Sequence, residues 1–200
     1  MQTIEAGKSA DFSQDIPVKN PKLWDTDNPV LYSAVSKVSI GGKVVDDTVT
    51  PFGIRWFEFK ADTGFWLNGK NMKIKGVCLH HDCGALGAAV PLRAWERRLE
   101  RLKQVGVNAI RTAHNPVAPE FLDLCDRMGF LVMHEILDTW TATKNHADFG
   151  YQHFFREWWQ ADTRDTVLRD RNHPCIIIYS AGNEIRDNLN SEWGFETLKA

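Results

Sequence analysis

The fold class is decided by the stretch Ile176-Ile177-Ile178-Tyr179-Ser180-Ala181-Gly182-Asn183-Glu184. Three β-branched apolar residues in a row are typical of a strand that is covered on both faces, as in a parallel sheet. Asn183 and Glu184 follow this strand directly. In (β/α) barrels the catalytic groups lie at the C-terminal ends of the strands. Glu184 is therefore the first candidate for a catalytic acid.

Upstream of this strand, strand-like and helix-like segments alternate. Strand patterns occupy residues 73–80, 108–111 and 130–135, and helical spacing of apolar residues follows Pro91 and Pro119. Such alternation predicts parallel βα units. A complete (β/α)8 barrel needs roughly 250 residues, so the α/β part of the chain predicts a partial TIM barrel of about four βα units.

The first part of the chain has a different pattern. Residues 31–40 and 55–60 alternate between apolar and polar side chains, residues 10–18 do so in part, and Gly41-Gly42 is typical of a hairpin turn. We expect antiparallel strands with one solvated face that form part of a β-sandwich.

Composition and charge exclude several classes of partner. The formal net charge is −2 and 25% of the residues are charged, which gives no electrostatic reason to expect binding to nucleic acid or to a membrane surface. No apolar run has the length of a membrane span and none resembles a signal peptide. The compartment stays open, and a longer parent protein could be periplasmic or secreted.

The cysteines and adjacent histidines do not predict a zinc site. Cys78, Cys83, Cys125 and Cys175 show no C-x-x-C spacing. His80 and His81 are neighbours, so they point to opposite faces of a strand, whereas two ligands to one metal need to share a face. A zinc hydrolase is therefore not expected, and His81 is assigned a supporting polar role.

Three motifs occur in order along the chain. They are Phe65–Lys70, Asn108–Pro116, and Leu168–Pro174 followed by Asn183-Glu184. In this order and at this spacing they resemble glycoside hydrolase family 2, the β-galactosidase and β-glucuronidase group. The resemblance implies that residues 1–62 are the C-terminal part of an immunoglobulin-like sandwich and residues 63–200 the N-terminal half of a TIM-barrel glycosidase domain.

The resemblance also implies a retaining exo-β-glycosidase with Glu184 as general acid/base. Such an enzyme protonates the departing glycosidic oxygen and then uses the same carboxylate to deprotonate water. Asn183 is implied to bond the sugar 2-hydroxyl. The alternative for the pair is a simple turn at the end of a strand.

Four further residues are implied to bind carbohydrate. His80 and His114 are expected at the sugar site, with a loop-structuring role as the alternative for His114. Arg111 is expected to position active-site carboxylates, or else to form a salt bridge that supports the barrel. Trp140 is expected as a wall for the sugar ring, or else as a packing residue.

No cofactor is expected. Some β-galactosidases hold magnesium through a Glu-x-His pattern near the third barrel strand, and the run Glu135-Ile136-Leu137-Asp138 lacks it.

Within the family, the Leu79–Asp82 run followed by Gly84–Gly87 resembles the β-galactosidase branch. β-Glucuronidase and β-mannosidase activities, and a non-catalytic carbohydrate-binding fragment, stay as alternatives. The resemblance places the glutamate nucleophile beyond residue 200, so we expect the chain alone to be inactive. A half barrel leaves strand edges uncovered, and self-association is expected.

Overall fold

The structure is a computed structural model that describes residues 3–142, 144, 147–187 and 191–199. Its first sheet is a two-stranded antiparallel hairpin of β1 (Tyr32–Ile40) and β2 (Lys43–Phe52). The predicted turn at Gly41-Gly42 is confirmed, because both glycines adopt positive φ angles of 57° and 81° and so form the kind of turn that favours glycine.

A second antiparallel sheet joins the hairpin to the α/β part. It consists of β3 (Phe57–Lys60), β4 (Gly64–Leu67) and β5 (Lys70–Asn71), in the order β3-β4-β5. Phe65 and Leu67 alternate inward along β4 and are buried in the main hydrophobic core. This sheet therefore packs on the α/β part through one face.

The third sheet is parallel and carries the candidate site. Its strands are β6 (Gly76–His80), β7 (Ala109–Ala113), β8 (Leu131–Glu135) and β9 (Ile176–Ser180), and each pairs with the next in sequence. The intervening helices are α1 (Leu92–Gln104), α2 (Pro119–Met128) and α3 (Phe155–Asp170), and α4 (Glu192–Lys199) follows β9. Sequential parallel pairing with a helix after each strand confirms the predicted partial barrel.

The core lies between this sheet and the helices that cover its outer face. Its fully buried side chains include Leu99, Phe121, Leu122, Phe130 and Leu131. The helix α2 begins with Pro119 at its first turn and ends at Gly129, which adopts φ +69°. Both are the residues that such helix ends favour.

The N-terminal segments attach to the end of the barrel opposite the site. Trp24 is fully buried and its indole N–H donates to the Asp126 carbonyl at 2.8 Å. Arg55 donates to the carbonyls of Pro174 and Ile176 at 3.0 and 2.6 Å. These long-range hydrogen bonds fix the start of β9, and with it the strand that leads to Glu184.

Two expectations for the N-terminal part were wrong. Residues 10–18 form no strand, although their side chains alternate in part. The β1–β2 hairpin shows no buried face: valines on both strands, such as Val35, Val38 and Val49, are more than half exposed. Within the described ranges no helix is long and apolar enough to cross a membrane.

Candidate active site

The polar side chains singled out from the sequence meet at one edge of the parallel sheet. His80 ends β6, His114 follows β7, Glu135 ends β8, and Asn183 and Glu184 follow β9. The strands are parallel and in sequential register, so their C-terminal ends must lie side by side. The His80 and His114 rings are in contact, with centroids 5.1 Å apart and nearly perpendicular planes.

Glu135 is the centre of the buried part of this edge. Its side chain is fully buried and accepts two-pronged hydrogen bonds from Arg111 at 2.7 to 3.0 Å. His114 Nδ1 lies 2.6 Å from Glu135 Oε1, and the Ser180 hydroxyl donates to Glu135 Oε2 at 2.9 Å. Burial of a carboxylate is tolerated because these partners compensate for lost hydration. We call these four side chains the Glu135 network.

Asn183 is held from two sides. Its side-chain oxygen accepts a hydrogen bond from Arg111 at 2.9 Å, and its side-chain nitrogen donates to Asp138 Oδ1 at 3.1 Å. Its backbone N–H donates to the Asp138 carbonyl at 2.6 Å. The amide of Asn183 is thereby linked to the Glu135 network through Arg111.

Glu184 stands at the solvent side of this arrangement. Its side chain is 61% exposed, and its Oε2 lies 3.1 Å from the ammonium nitrogen of Lys144. The backbone at Glu184 has φ +51°, a conformation that non-glycine residues adopt seldom and that often accompanies functional sites. An exposed carboxyl at a strand end can both donate a proton to a substrate and accept one from water.

Lys144 connects Glu184 to Asp138. Its ammonium donates to Asp138 Oδ1 at 2.7 Å as well as facing Glu184. Burial opposes the charge of Asp138, but hydrogen bonds from Lys144 and Asn183 hold its pKa below the ordinary value. Burial likewise opposes the charge of Lys144, while hydrogen bonds to Asp138 and Glu184 raise its pKa. Both groups are therefore ionised at neutral pH.

A cavity of about 740 Å³ opens beside these residues. His80, His114, Asp138 and Lys144 line its near side, and Tyr151 and Arg169 line the side towards α3. Its size is that of a small-ligand site. Asn183 and Glu184 are not among its lining residues; they adjoin it through Asp138 and Lys144.

Trp140 lies apart from the other predicted residues. Its ring is only 2% exposed, stacks on Phe155 at 5.2 Å, and donates its indole N–H to the Ala181 carbonyl at 3.0 Å. It lines a separate cavity of about 230 Å³. The structure thus places Trp140 in an aromatic cluster under the β9 loop, and its role as a sugar wall stays a prediction.

Three contacting residues were missed at the sequence level. Ser180 and Lys144 carry no motif signal, and Asp138 was named only as the last residue of the run that lacks the magnesium pattern. The available signal for Asp138 is its position past the end of a buried parallel strand, where functional groups cluster.

A second polar cluster lies at the opposite end of the strands. Asp126, His173 and Cys175 each offer a potential metal-ligand atom within 4.8 Å of the others. Both Asp126 oxygens already have partners, His173 Nδ1 at 2.6 Å and the Cys175 backbone N–H at 3.0 Å. Burial raises the pKa of the Cys175 thiol, which disfavours the thiolate that a metal needs. We interpret this cluster as a hydrogen-bonded support for β9.

Comparison with known proteins agrees with this geometry. Residues 58–198 match the family model described as glycosyl hydrolases family 2, TIM barrel domain, and residues 2–55 match that of glycosyl hydrolases family 2. The predicted fold class, a β-sandwich fragment followed by a partial barrel, is thereby confirmed.

Individual relatives cover most of the chain. A protein from Bacteroides ovatus named beta-galactosidase BoGH2A is 53% identical over 181 residues, which are 90% of this chain and 21% of that protein. A beta-glucuronidase from Bacteroides fragilis is 30% identical over 93% of this chain and 27% of its own length. The chain therefore spans about a quarter or less of these relatives.

Among solved structures, a beta-glycosidase from Bacteroides vulgatus superposes with a TM-score of 0.85 at 45% identity, covering 90% of this chain and 23% of that one. With the two family models covering nearly all of the sequence, this chain belongs to glycosyl hydrolases family 2.

Proposed function

We propose that this chain provides the acid/base half of a retaining exo-β-glycosidase that removes terminal β-linked sugars, with β-galactosides as the preferred class. The observation that carries the proposal is the exposed Glu184 carboxyl beside an Asn183 amide whose position is fixed by Arg111 and Asp138. A structural turn at a strand end needs neither the fixed amide nor the exposed acid.

The reaction follows from this arrangement in two steps. In the first, a second carboxylate attacks the anomeric carbon and forms a glycosyl–enzyme ester, while Glu184 donates its proton to the departing glycosidic oxygen. In the second, the Glu184 carboxylate removes a proton from the water that releases the sugar. Asn183 donates its remaining amide hydrogen to the 2-hydroxyl of the sugar, and His80 and His114 on the cavity wall bind other hydroxyls.

A retaining glycosidase also needs a second carboxyl about 5–5.5 Å from the first. Glu135 does not suit this role, because it is fully buried and its oxygens bind Arg111, His114 and Ser180. Asp138 is also engaged, since Oδ1 accepts hydrogen bonds from both Lys144 and Asn183. In line with the family resemblance, we propose that the nucleophile lies on a later barrel strand beyond residue 200, and we expect the 200-residue chain alone to be inactive.

The substrate preference is drawn from the relatives. The protein at 53% identity is named a beta-galactosidase, and one from Formosa agariphila at 47% is named a putative beta-glucuronidase. A glucuronide would need a cationic group for its carboxylate. Lys144 and Arg169 line the cavity, but Lys144 already faces Asp138 and Glu184, and Arg169 is paired with Asp170. A neutral galactoside is therefore favoured. No metal ion is needed for either step.

Hydrolysis of aryl β-galactosides, glucuronides, mannosides and galacturonides tests the proposal. The assay compares this chain with a form extended to the length of the Bacteroides ovatus relative, each with a Glu184→Gln counterpart. We expect turnover of galactosides by the extended form, loss of about 10²-fold or more in Glu184→Gln, and none by the chain alone. Sugar binding without any turnover in the extended form would instead indicate a carbohydrate-binding protein.

A further inference from the structure

Asp138 contacts the Asn183–Glu184 pair through its backbone, through its side chain and through Lys144. Its backbone carbonyl accepts the Asn183 N–H at 2.6 Å, and its Oδ1 accepts the Asn183 side-chain amide at 3.1 Å. The same Oδ1 holds Lys144 at 2.7 Å, and Lys144 lies 3.1 Å from Glu184. One aspartate thus reaches the backbone of Asn183, its side chain and, through one lysine, the neighbouring acid.

The two neighbours of the Asn183 amide decide which way that amide faces. Arg111 can only donate hydrogen bonds, so it must face the side-chain oxygen, which lies 2.9 Å away. An ionised aspartate can only accept, so Asp138 must face the nitrogen. Without Asp138, only Arg111 among the contacts of this amide would oppose a flip that exchanges oxygen and nitrogen.

Asp138 is held in the ionised state that this role needs. Burial opposes its charge, but the hydrogen bonds from Lys144 and Asn183 outweigh burial and lower its pKa. The approach of the two segments is also close: a Cβ at Gly182 would lie 2.9 Å from the Asp138 carbonyl oxygen. The loop after β9 is therefore fitted against Asp138 rather than merely near it.

We propose that Asp138 is a positioning residue that sets the orientation of the Asn183 amide towards the sugar 2-hydroxyl and, through Lys144, the place of the Glu184 carboxyl. This inference rests on the proposed function and deepens it. The amide orientation leaves one N–H free for a hydroxyl acceptor, whereas the flipped amide would turn its oxygen towards Asp138 and lose this donor.

The first test needs no catalysis and uses the 200-residue chain. The side-chain nitrogen of Lys144 is titrated by NMR in the wild type, Asp138→Ala, Asp138→Asn and Glu184→Gln. The pKa of Lys144 should fall in all three variants, since each removes a negative partner. Asp47→Ala, which removes a carboxylate from the distant β2 strand, should leave it unchanged. A Lys144 pKa that is insensitive to Asp138→Ala and Asp138→Asn would overturn the proposal.

The second test is kinetic and uses the extended form that turns over aryl glycosides. Asp138→Ala should lower kcat/KM by roughly 10- to 100-fold on a glycoside with a 2-hydroxyl, in the range of a hydrogen bond to a charged group. On the matching 2-deoxyglycoside the loss should be several-fold smaller, because the contact that Asp138 organises is already absent. Asp138→Asn, which keeps the volume, guards against a folding defect.

Equal losses on the two substrates in both variants would mean that Asp138 only supports the fold, which overturns the proposal. The proposed function fails separately, if Glu184→Gln retains full turnover in the extended form. In that case the lysine titration still decides whether Asp138 holds Lys144 against Glu184.

Discussion

Replacing Glu135 with Gln should destabilise the chain more than any other conservative change at the sheet edge. The glutamine keeps the volume but removes the charge that Arg111 and His114 face at 2.6 to 3.0 Å. It also places an amide N–H₂ where only acceptors fit. Removing one member of a buried ion pair costs about 3–5 kcal/mol, because the remaining charge is left without its partner.

The magnitude is reduced here because the Arg111 side chain is 28% exposed and water can hydrate part of its charge. We therefore expect a loss of about 2–4 kcal/mol. At a urea m-value of roughly 2 kcal/mol/M, the unfolding midpoint should fall by about 1–2 M. The matched control is Ser180→Ala, which removes one neutral hydrogen bond to the same carboxylate and should cost about 1 kcal/mol. A Glu135→Gln variant no less stable than Ser180→Ala would refute the network as described.

Three further predictions concern the loop after β9, the opposite end of the strands and the open sheet. Gly182→Ala should lower the free energy of unfolding in urea by roughly 1–3 kcal/mol, because the added Cβ would lie 2.9 Å from the Asp138 carbonyl oxygen. Gly76→Ala is the control and should lower it less, because the atoms nearest to its Cβ are 3.4 Å away. Burial lowers the pKa of His173, but the hydrogen bond and charge of Asp126 raise it, and the net pKa lies above the ordinary value of 6.5. The stabilisation that the His173–Asp126 pair contributes should therefore be complete below pH 6.5 and should disappear as the pH rises through the pKa of the folded state. In His173→Gln, unfolding free energy should lose that pH dependence, and an unchanged profile would contradict the assignment. The edge strands of the parallel sheet are β6 and β9, and its inner face carries an apolar cavity of about 250 Å³. Because open edges and apolar surface favour contacts between copies of the chain, light scattering should show association that increases with concentration. A monomer at all concentrations would contradict this prediction.

The parallel sheet could be predicted from sequence because its signals are local. The Ile176–Ile178 run is buried or half-buried as a doubly covered strand requires, and Pro119 and Gly129 bound α2 as their conformations dictate. The prediction that one face of the β1–β2 hairpin is buried was wrong, also for a physical reason. Alternation along β1 and β2 encodes a face to be covered, but coverage depends on a partner sheet, which the local pattern does not contain.

The candidate site, too, could be predicted from the sequence only in part. Strand ends in a parallel sheet must meet, so His80, His114 and Glu184 could be assigned to one edge from their positions alone. The links between them could not, because Lys144 reaches Glu184 from a loop 40 residues earlier. The contact between Trp140 and Phe155 likewise could not be predicted from sequence, because it depends on packing between distant segments. The role of Trp140 as a sugar wall stays a prediction.

The buried and exposed groups at the sheet edge differ in how firmly these residues hold them in place. Glu135 is buried and fully paired, and through Arg111 it fixes Asn183. Glu184 is 61% exposed and touches one cation. Orientation of the amide is therefore built into these residues, whereas the exposed carboxyl of Glu184 is held only by Lys144 among the contacts that the structure describes. Under the proposed function, the second carboxylate that a retaining glycosidase needs comes from outside these residues, and we expect the acid/base cycle of Glu184 to depend on it.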